Sequence, residues 1–169
     1  MATQPKPRDL DDRVGPSREL LQSTSFLLKR LGMDAKERSL AAFAGTELSP
    51  QHYGVLSLLD EGTRETQATI ADALRYDRSH LVGLLDELEA KQLIERRRDT
   101  ADRRRHVVSL TAAGEQKLAE LRTIVRRVEK DFLAPLDAEE RRRLHALLAV
   151  LAAHHDPRCA GGVAAAAGD

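Results

Sequence analysis

Residues 66–114, TQATIADALRYDRSHLVGLLDELEAKQLIERRRDTADRRRHVVSLTAAG, decide how this chain folds. Thr66 precedes Ile70, Ala71 and Leu74 at helical spacing, which predicts a hydroxyl-capped helix of about nine residues. After Arg75-Tyr76, Asp77 caps a second helix of about fourteen residues with Leu81, Leu84, Leu85 and Leu88 on one face. Two helices joined by so short a turn form a helix-turn-helix. Leu93-Ile94 then begins a strand, and His106–Leu110 alternates like its hairpin partner. Between them lies a charged turn running from Asp99 to Arg104. The expected fold is mainly α with a small β-hairpin wing: a winged helix-turn-helix.

Outward from this unit the pattern is helical. Thr111 caps a long helix with Leu118, Leu121, Val125, Val128 and Phe132 on one face, stopped by Pro135. Asp137-Ala138-Glu139-Glu140 opens a last helix in the manner of a capping box, carrying Leu144, Leu147, Leu148 and Leu151. Upstream, Ser49-Pro50 starts a helix with Tyr53, Leu56 and Leu59 inward, ending at Gly62. Ser17 starts another, with Leu20, Leu21, Thr24, Leu27, Leu28 and Leu31, which Gly32 is expected to end. A shorter helix over 35–44 carries Leu40 and Phe43 before Gly45. The division is a flexible tail at 1–16, a folded domain at 17–156 and a disordered Ala/Gly tail at 157–169. Within the domain, dimerisation helices at 17–48 and 111–156 flank a lobe at 49–110. That lobe is too small to cover the flanking stripes, so they are expected to pack on each other and on a second subunit.

Bulk properties narrow the classes. Only 3% of the 169 residues are aromatic and Trp is absent, so the core must be aliphatic, which suits helices. Net charge is zero, so any case for a polyanionic partner has to be local. A single cysteine, Cys159, allows no intramolecular disulfide. With no apolar leader and no run of about 18 apolar residues, a soluble cytoplasmic protein without membrane contact is expected. His154-His155-Asp156 is the only histidine cluster, and adjacent histidines on a helix diverge, so no metal and no cofactor are expected. No glycine-rich phosphate loop or nucleophile elbow occurs, and Asp86, Glu87 and Glu89 read as a solvated helical face, so the chain does not read as an enzyme.

The local chemistry points to duplex DNA. A helix fits the major groove, and its first turns reach base edges. Here that turn is Arg78-Ser79-His80; Arg78 suits guanine or phosphate, and Val82, off the leucine stripe, suits a thymine methyl. From Lys91 to Arg105, seven Lys/Arg stand against three acids, a local charge of +4. Crowded like charges become favourable beside phosphates, where counterions are released. Asp99 or Asp102 is expected to brace Arg104 while Arg103 or Arg104 reaches the minor groove. Thr66, Gln67, Arg98, Asp102 and Arg105 complete the candidate DNA-binding set. The alternative is a winged-helix module for protein contacts without DNA binding, and the wing's charge argues against it.

The stretch 49–114 with its helical flanks resembles the MarR family of bacterial transcription regulators. The wing signature of that family, Asp-x-Arg-Asp-x-Arg followed by a strand and an L-T-x-x-G helix entry, is matched by Asp99, Asp102, Arg104, Leu110, Thr111 and Gly114. Ala101 departs from the usual Arg, with Arg103 next door, and Val82-Gly83 replaces a common Thr/Ser-Arg pair. Gly83 costs about 1 kcal/mol relative to Ala inside a helix, so a close approach to DNA or a neighbouring helix is expected there. The resemblance implies a triangular homodimer binding double-stranded DNA at a pseudo-palindromic operator, usually as a repressor. It also implies release by a small aromatic or phenolic effector near Phe26, Phe43, His52 and Tyr53.

Overall fold

The computed structural model describes residues 15–61, 65–98 and 106–161. The chain divides into two compact units, Met1–Glu37 and Arg38–Asp169. In order, the elements are α1 (Arg18–Gln22), α2 (Thr24–Phe43), α3 (Pro50–Asp60), β1 (Glu65–Thr66), α4 (Gln67–Leu74) and α5 (Arg78–Ala90). They continue with β2 (Ile94–Arg98), β3 (His106–Leu110), α6 (Ala112–Phe132), α7 (Ala138–His155) and a 3-10 turn (Pro157–Cys159). Among the described residues no helix is long and apolar enough to cross a membrane.

The N-terminal helices differ from expectation. Ser17 does cap a helix, accepting the Leu20 N–H at 3.3 Å, but α1 ends at Gln22. Ser23 starts the chain again, its hydroxyl accepting the Phe26 N–H at 3.3 Å. From there α2 runs through Gly32 without a break, where a stop was expected. The cause is composition: Leu31, Met33, Ala35, Lys36, Glu37 and Arg38 are good helix formers, and together they outweigh the roughly 1 kcal/mol cost of one glycine.

The winged lobe is built as its caps direct. Ser49, Thr66, Asp77, Thr111 and Asp137 each accept a backbone N–H from the first turn of α3, α4, α5, α6 and α7 respectively. The strands form an antiparallel sheet in the order β1-β3-β2. β1 was not foreseen: Thr66 both caps α4 and pairs with Val107, and two residues carry no legible alternation. The core is aliphatic. Val55 and Leu56 of α3, Ile70 of α4, Leu81, Leu85 and Leu88 of α5, Val108 of β3, and Leu118 and Leu121 of α6 are all at most 1% exposed. Each such side chain contributes roughly 1.5–3 kcal/mol, so the leucine face of α5 is fixed by burial and its opposite face is left for solvent or a partner.

One glycine is demanded by packing. A Cβ on Gly114 would overlap the Leu93 carbonyl oxygen and crowd Leu110. Thr111 tightens the same corner: its hydroxyl donates to the Gln92 carbonyl at 2.7 Å and accepts the Gly114 N–H at 3.0 Å. Its own N–H donates to the Leu93 carbonyl at 3.1 Å. The Leu-Thr-x-x-Gly entry is thus a weld between the end of β3, the start of α6 and the chain leaving α5. Around Gly83, by contrast, a Cβ would meet nothing within 4 Å. Among the described residues no neighbouring helix explains that glycine.

The chain was expected to be disordered from residue 157. Instead Pro157–Cys159 forms a 3-10 turn, because Asp156 caps it and Pro157 supplies the first turn's fixed φ. Residues 162–169 lie outside the described residues.

Candidate nucleic-acid interface

Asp77 organises the first turn of α5. Its carboxylate accepts the Ser79 N–H at 2.9 Å and the His80 N–H at 3.3 Å, and also takes the Ser79 hydroxyl. The hydroxyl and those two N–H groups hold the Asp77 carboxyl below the usual carboxylate range. Arg78, Ser79, His80 and Val82 are all exposed, while the leucines between and beyond them are buried. The His80 ring stands edge-on to Tyr76, with centroids 5.8 Å apart and planes at 72°. Tyr76, whose hydroxyl burial holds above its ordinary pKa, rests over Gly54 of α3: a Cβ there would lie 3.3 Å from the phenol oxygen. The first turn of α5 therefore presents a guanidinium and an imidazole from a rigid base. Ser79 is partly committed to its cap.

At the head of α4, Thr66 and Thr69 make a reciprocal box. The Thr69 N–H donates to the Thr66 hydroxyl at 3.3 Å and the Thr66 N–H to the Thr69 hydroxyl at 2.9 Å. Gln67, the first residue of α4, is half-buried.

The wing splits its charge. Arg98 is exposed at the far end of β2, across from His106. Arg97 pairs with Glu95 at 2.8 Å. Arg96 turns inward: its side chain is 19% exposed, with Nε 3.0 Å from Glu89 and a terminal nitrogen on Asp86. Both carboxylates belong to α5. Lys91 is similarly engaged, 2.8 Å from Glu47. Counting charges along the sequence thus overstates what the wing offers a phosphate, because Arg96 and Lys91 brace the lobe. The signal that could have shown this is the spacing of Asp86 and Glu89, one turn apart on the polar side of α5. Asp99, Asp102, Arg103, Arg104 and Arg105 lie outside the described residues.

The residues tied to a small effector separate by unit. Phe43 and His52 are buried in the C-terminal unit, and Phe43 meets half-buried Tyr53 edge-on at 6.4 Å. Phe26 belongs to the N-terminal unit, where it lines a groove with Leu27, Arg30 and Met33. His52 has a structural task that spacing did not suggest. The Ser49 N–H donates to its Nδ1 at 3.0 Å while its own N–H donates to the Ser49 hydroxyl at 3.3 Å. Nδ1 must then be the acceptor, which puts the ring proton on Nε2, 3.2 Å from the Glu87 carboxylate of α5. Burial lowers the His52 pKa, and Glu87 offsets part of that shift.

Among the described residues no group of three or more His, Cys, Asp or Glu is placed to hold a metal ion. The rings of His154 and His155 meet edge-on, with centroids 5.0 Å apart and planes at 80°.

Comparison with known proteins agrees with this fold. The sequence profile of the MarR family matches residues 48–106. A candidate transcriptional regulatory protein for the hcr operon of Thauera aromatica is 35% identical over 126 residues, covering 70% of this chain and 76% of its own. The structure of the transcriptional repressor CouR bound to a 23-mer DNA duplex superposes with a TM-score of 0.75 at 33% identity, over 83% of this chain and 99% of that one. CouR from Rhodococcus jostii RHA1 bound to p-coumaroyl-CoA gives 0.71 at 26% identity, over 83% and 97%.

Proposed function

This chain belongs to the MarR family of transcriptional regulators, and from that premise we propose that it is a homodimeric repressor that grips a pseudo-palindromic operator and is released by a small aromatic ligand. The observation that carries the DNA reading is the orientation of α5. Its leucine face is sealed into the core, while Arg78, His80 and Val82 stand exposed, as does Arg98 of β2. Arg78 and His80 would meet base edges or phosphates in the major groove, and Arg98 would enter the backbone beside it. The reading is supported by likeness to a repressor solved on its duplex.

Dimerisation is supported by surface left bare in each unit. Leu31 and Met33 in the N-terminal unit are 52% and 58% exposed, and Leu147 and Val150 of α7 are each 58% exposed. Rows of half-exposed leucines on long helices are a surface that a second copy covers. A dimer also sets two α5 helices about one turn of DNA apart. An aromatic effector is supported by the CouR complex with p-coumaroyl-CoA, a ligand with an aromatic head.

Selection of bound fragments from a pool of random duplexes tests the proposal. Recovery of a two-fold symmetric sequence, bound as two chains per duplex and released by hydroxylated aromatic acids or their thioesters, is expected. Enrichment of no sequence over the input pool would contradict it.

A further inference from the structure

We propose that Asp156 and Arg158 are positioning residues for DNA reading: the 3-10 turn at the end of α7 is a clasp that holds the turn between α4 and α5. The inference rests on α4 and α5 being the DNA-reading pair, and it concerns what sets their geometry.

The junction between α4 and α5 is short and conformationally demanding. Arg75 closes α4 in the left-handed region, at φ 54° and ψ 39°, without being glycine. Two residues later Asp77 is already capping α5. The direction in which α5 leaves α4 therefore depends on how Arg75 and the last carbonyls of α4 are held. Those carbonyls lack partners inside the helix. The Asp72 carbonyl has only a long bond from the Arg75 N–H, at 3.4 Å.

The missing donor comes from 86 residues away. Arg158 points a terminal nitrogen at the Asp72 carbonyl oxygen. The rest of its guanidinium is locked by Asp156: Nε lies 2.7 Å from one carboxylate oxygen and the second terminal nitrogen 2.8 Å from the other. Such a two-point fork fixes the plane of the guanidinium, so the third direction is aimed. Asp156 is itself anchored, its N–H donating to Ala152 of α7 at 2.8 Å and its carboxylate capping the turn at 3.2 Å from the Arg158 N–H. Its side chain is 15% exposed, and Arg75 adds a second cation at 3.8 Å. The end of α7, whose leucines form the bare face assigned to a second copy, thereby reaches the base of the reading head. A basic side chain satisfying the last carbonyls of a helix is a familiar cap; here the cap comes from the far end of the chain.

Operator affinity of the full-length protein, measured by fluorescence anisotropy on a selected duplex, tests this with three variants. Arg158→Ala and Asp156→Ala are each expected to weaken binding about fivefold, as befits a part-exposed ion pair. The double substitution is expected to be no weaker than either single one, because the two side chains act as one unit. The decisive variant is the swap Asp156→Arg with Arg158→Asp. It restores an ion pair within the turn but places a carboxylate opposite the Asp72 carbonyl, so binding is expected to stay weak while thermal unfolding and dimer mass match the parent. Parent-like affinity in Arg158→Ala, or full recovery in the swap, would overturn the clasp. Absence of binding by the parent protein would instead overturn the DNA reading itself.

Discussion

At Gly114 the side chain that is missing matters more than any neighbour that is present. Since a Cβ there would overlap a backbone carbonyl that cannot move without dragging β2, Gly114→Ala should destabilise the protein by about 2–4 kcal/mol, read as a lower urea midpoint. Gly83 is the opposite case, with open space around it. Gly83→Ala should stabilise by about 1 kcal/mol, and a simultaneous loss of operator affinity would show that the DNA backbone needs that space. His52 makes stability depend on pH. Its folded pKa lies below its unfolded value of about 6.5, so the unfolded chain takes up the proton first. The contribution is complete above that value and is lost as pH falls below it, towards the folded pKa. Thermal unfolding between pH 7 and 5 should therefore fall more steeply in the parent than in His52→Gln. Thr111 and Gly114 were legible because their residue types have few other reasons to stand at that spacing. The role of His52 was not, because a histidine three residues after a capping serine is outside the usual capping-box pattern.

Elements were legible where a cap and an apolar face coincided, as in α3, α5, α6 and α7. They were misjudged where one residue was asked to decide alone. Gly32 did not stop α2, and the break fell at Ser23, whose hydroxyl restarts the helix. β1 was invisible because two residues hold no period. The tie between α5 and β2 was hidden by a similar difficulty: Arg96 looks like its neighbours Arg97 and Arg98 in a string of letters, and only the pleat turns it towards Asp86 and Glu89. That tie sets the wing against α5. Arg96→Ala should lower operator affinity by roughly five- to tenfold while leaving the slope of affinity against salt unchanged, since its guanidinium is already engaged by Asp86 and Glu89. Arg98→Ala should reduce that slope by about one ion. Equal slopes in the two variants would show that the wing's charges are not divided in this way.

Across the whole molecule, a neutral chain carries a local excess of positive charge between Lys91 and Arg105 and its exposed leucines on helices at the two ends of the sequence. The first feature was legible from local counting, and the second from stripes that a lobe of that size cannot cover. The tie of Arg96 to α5 and the meeting of α7 with α4 were not, since both depend on contacts between side chains and groups of different elements. The central claim is that the first turn of α5 reads duplex DNA from a base sealed by Leu81, Leu84, Leu85 and Leu88. Its most direct test is anisotropy of a selected 25-base-pair duplex, titrated with parent protein and with Arg78→Ala across a potassium chloride series. The parent should bind the selected duplex far more tightly than a scrambled one, with affinity falling steeply as salt rises. Arg78→Ala should lose most of that discrimination and remain folded. Equal binding to both duplexes by the parent, or undiminished discrimination in Arg78→Ala, would contradict the account.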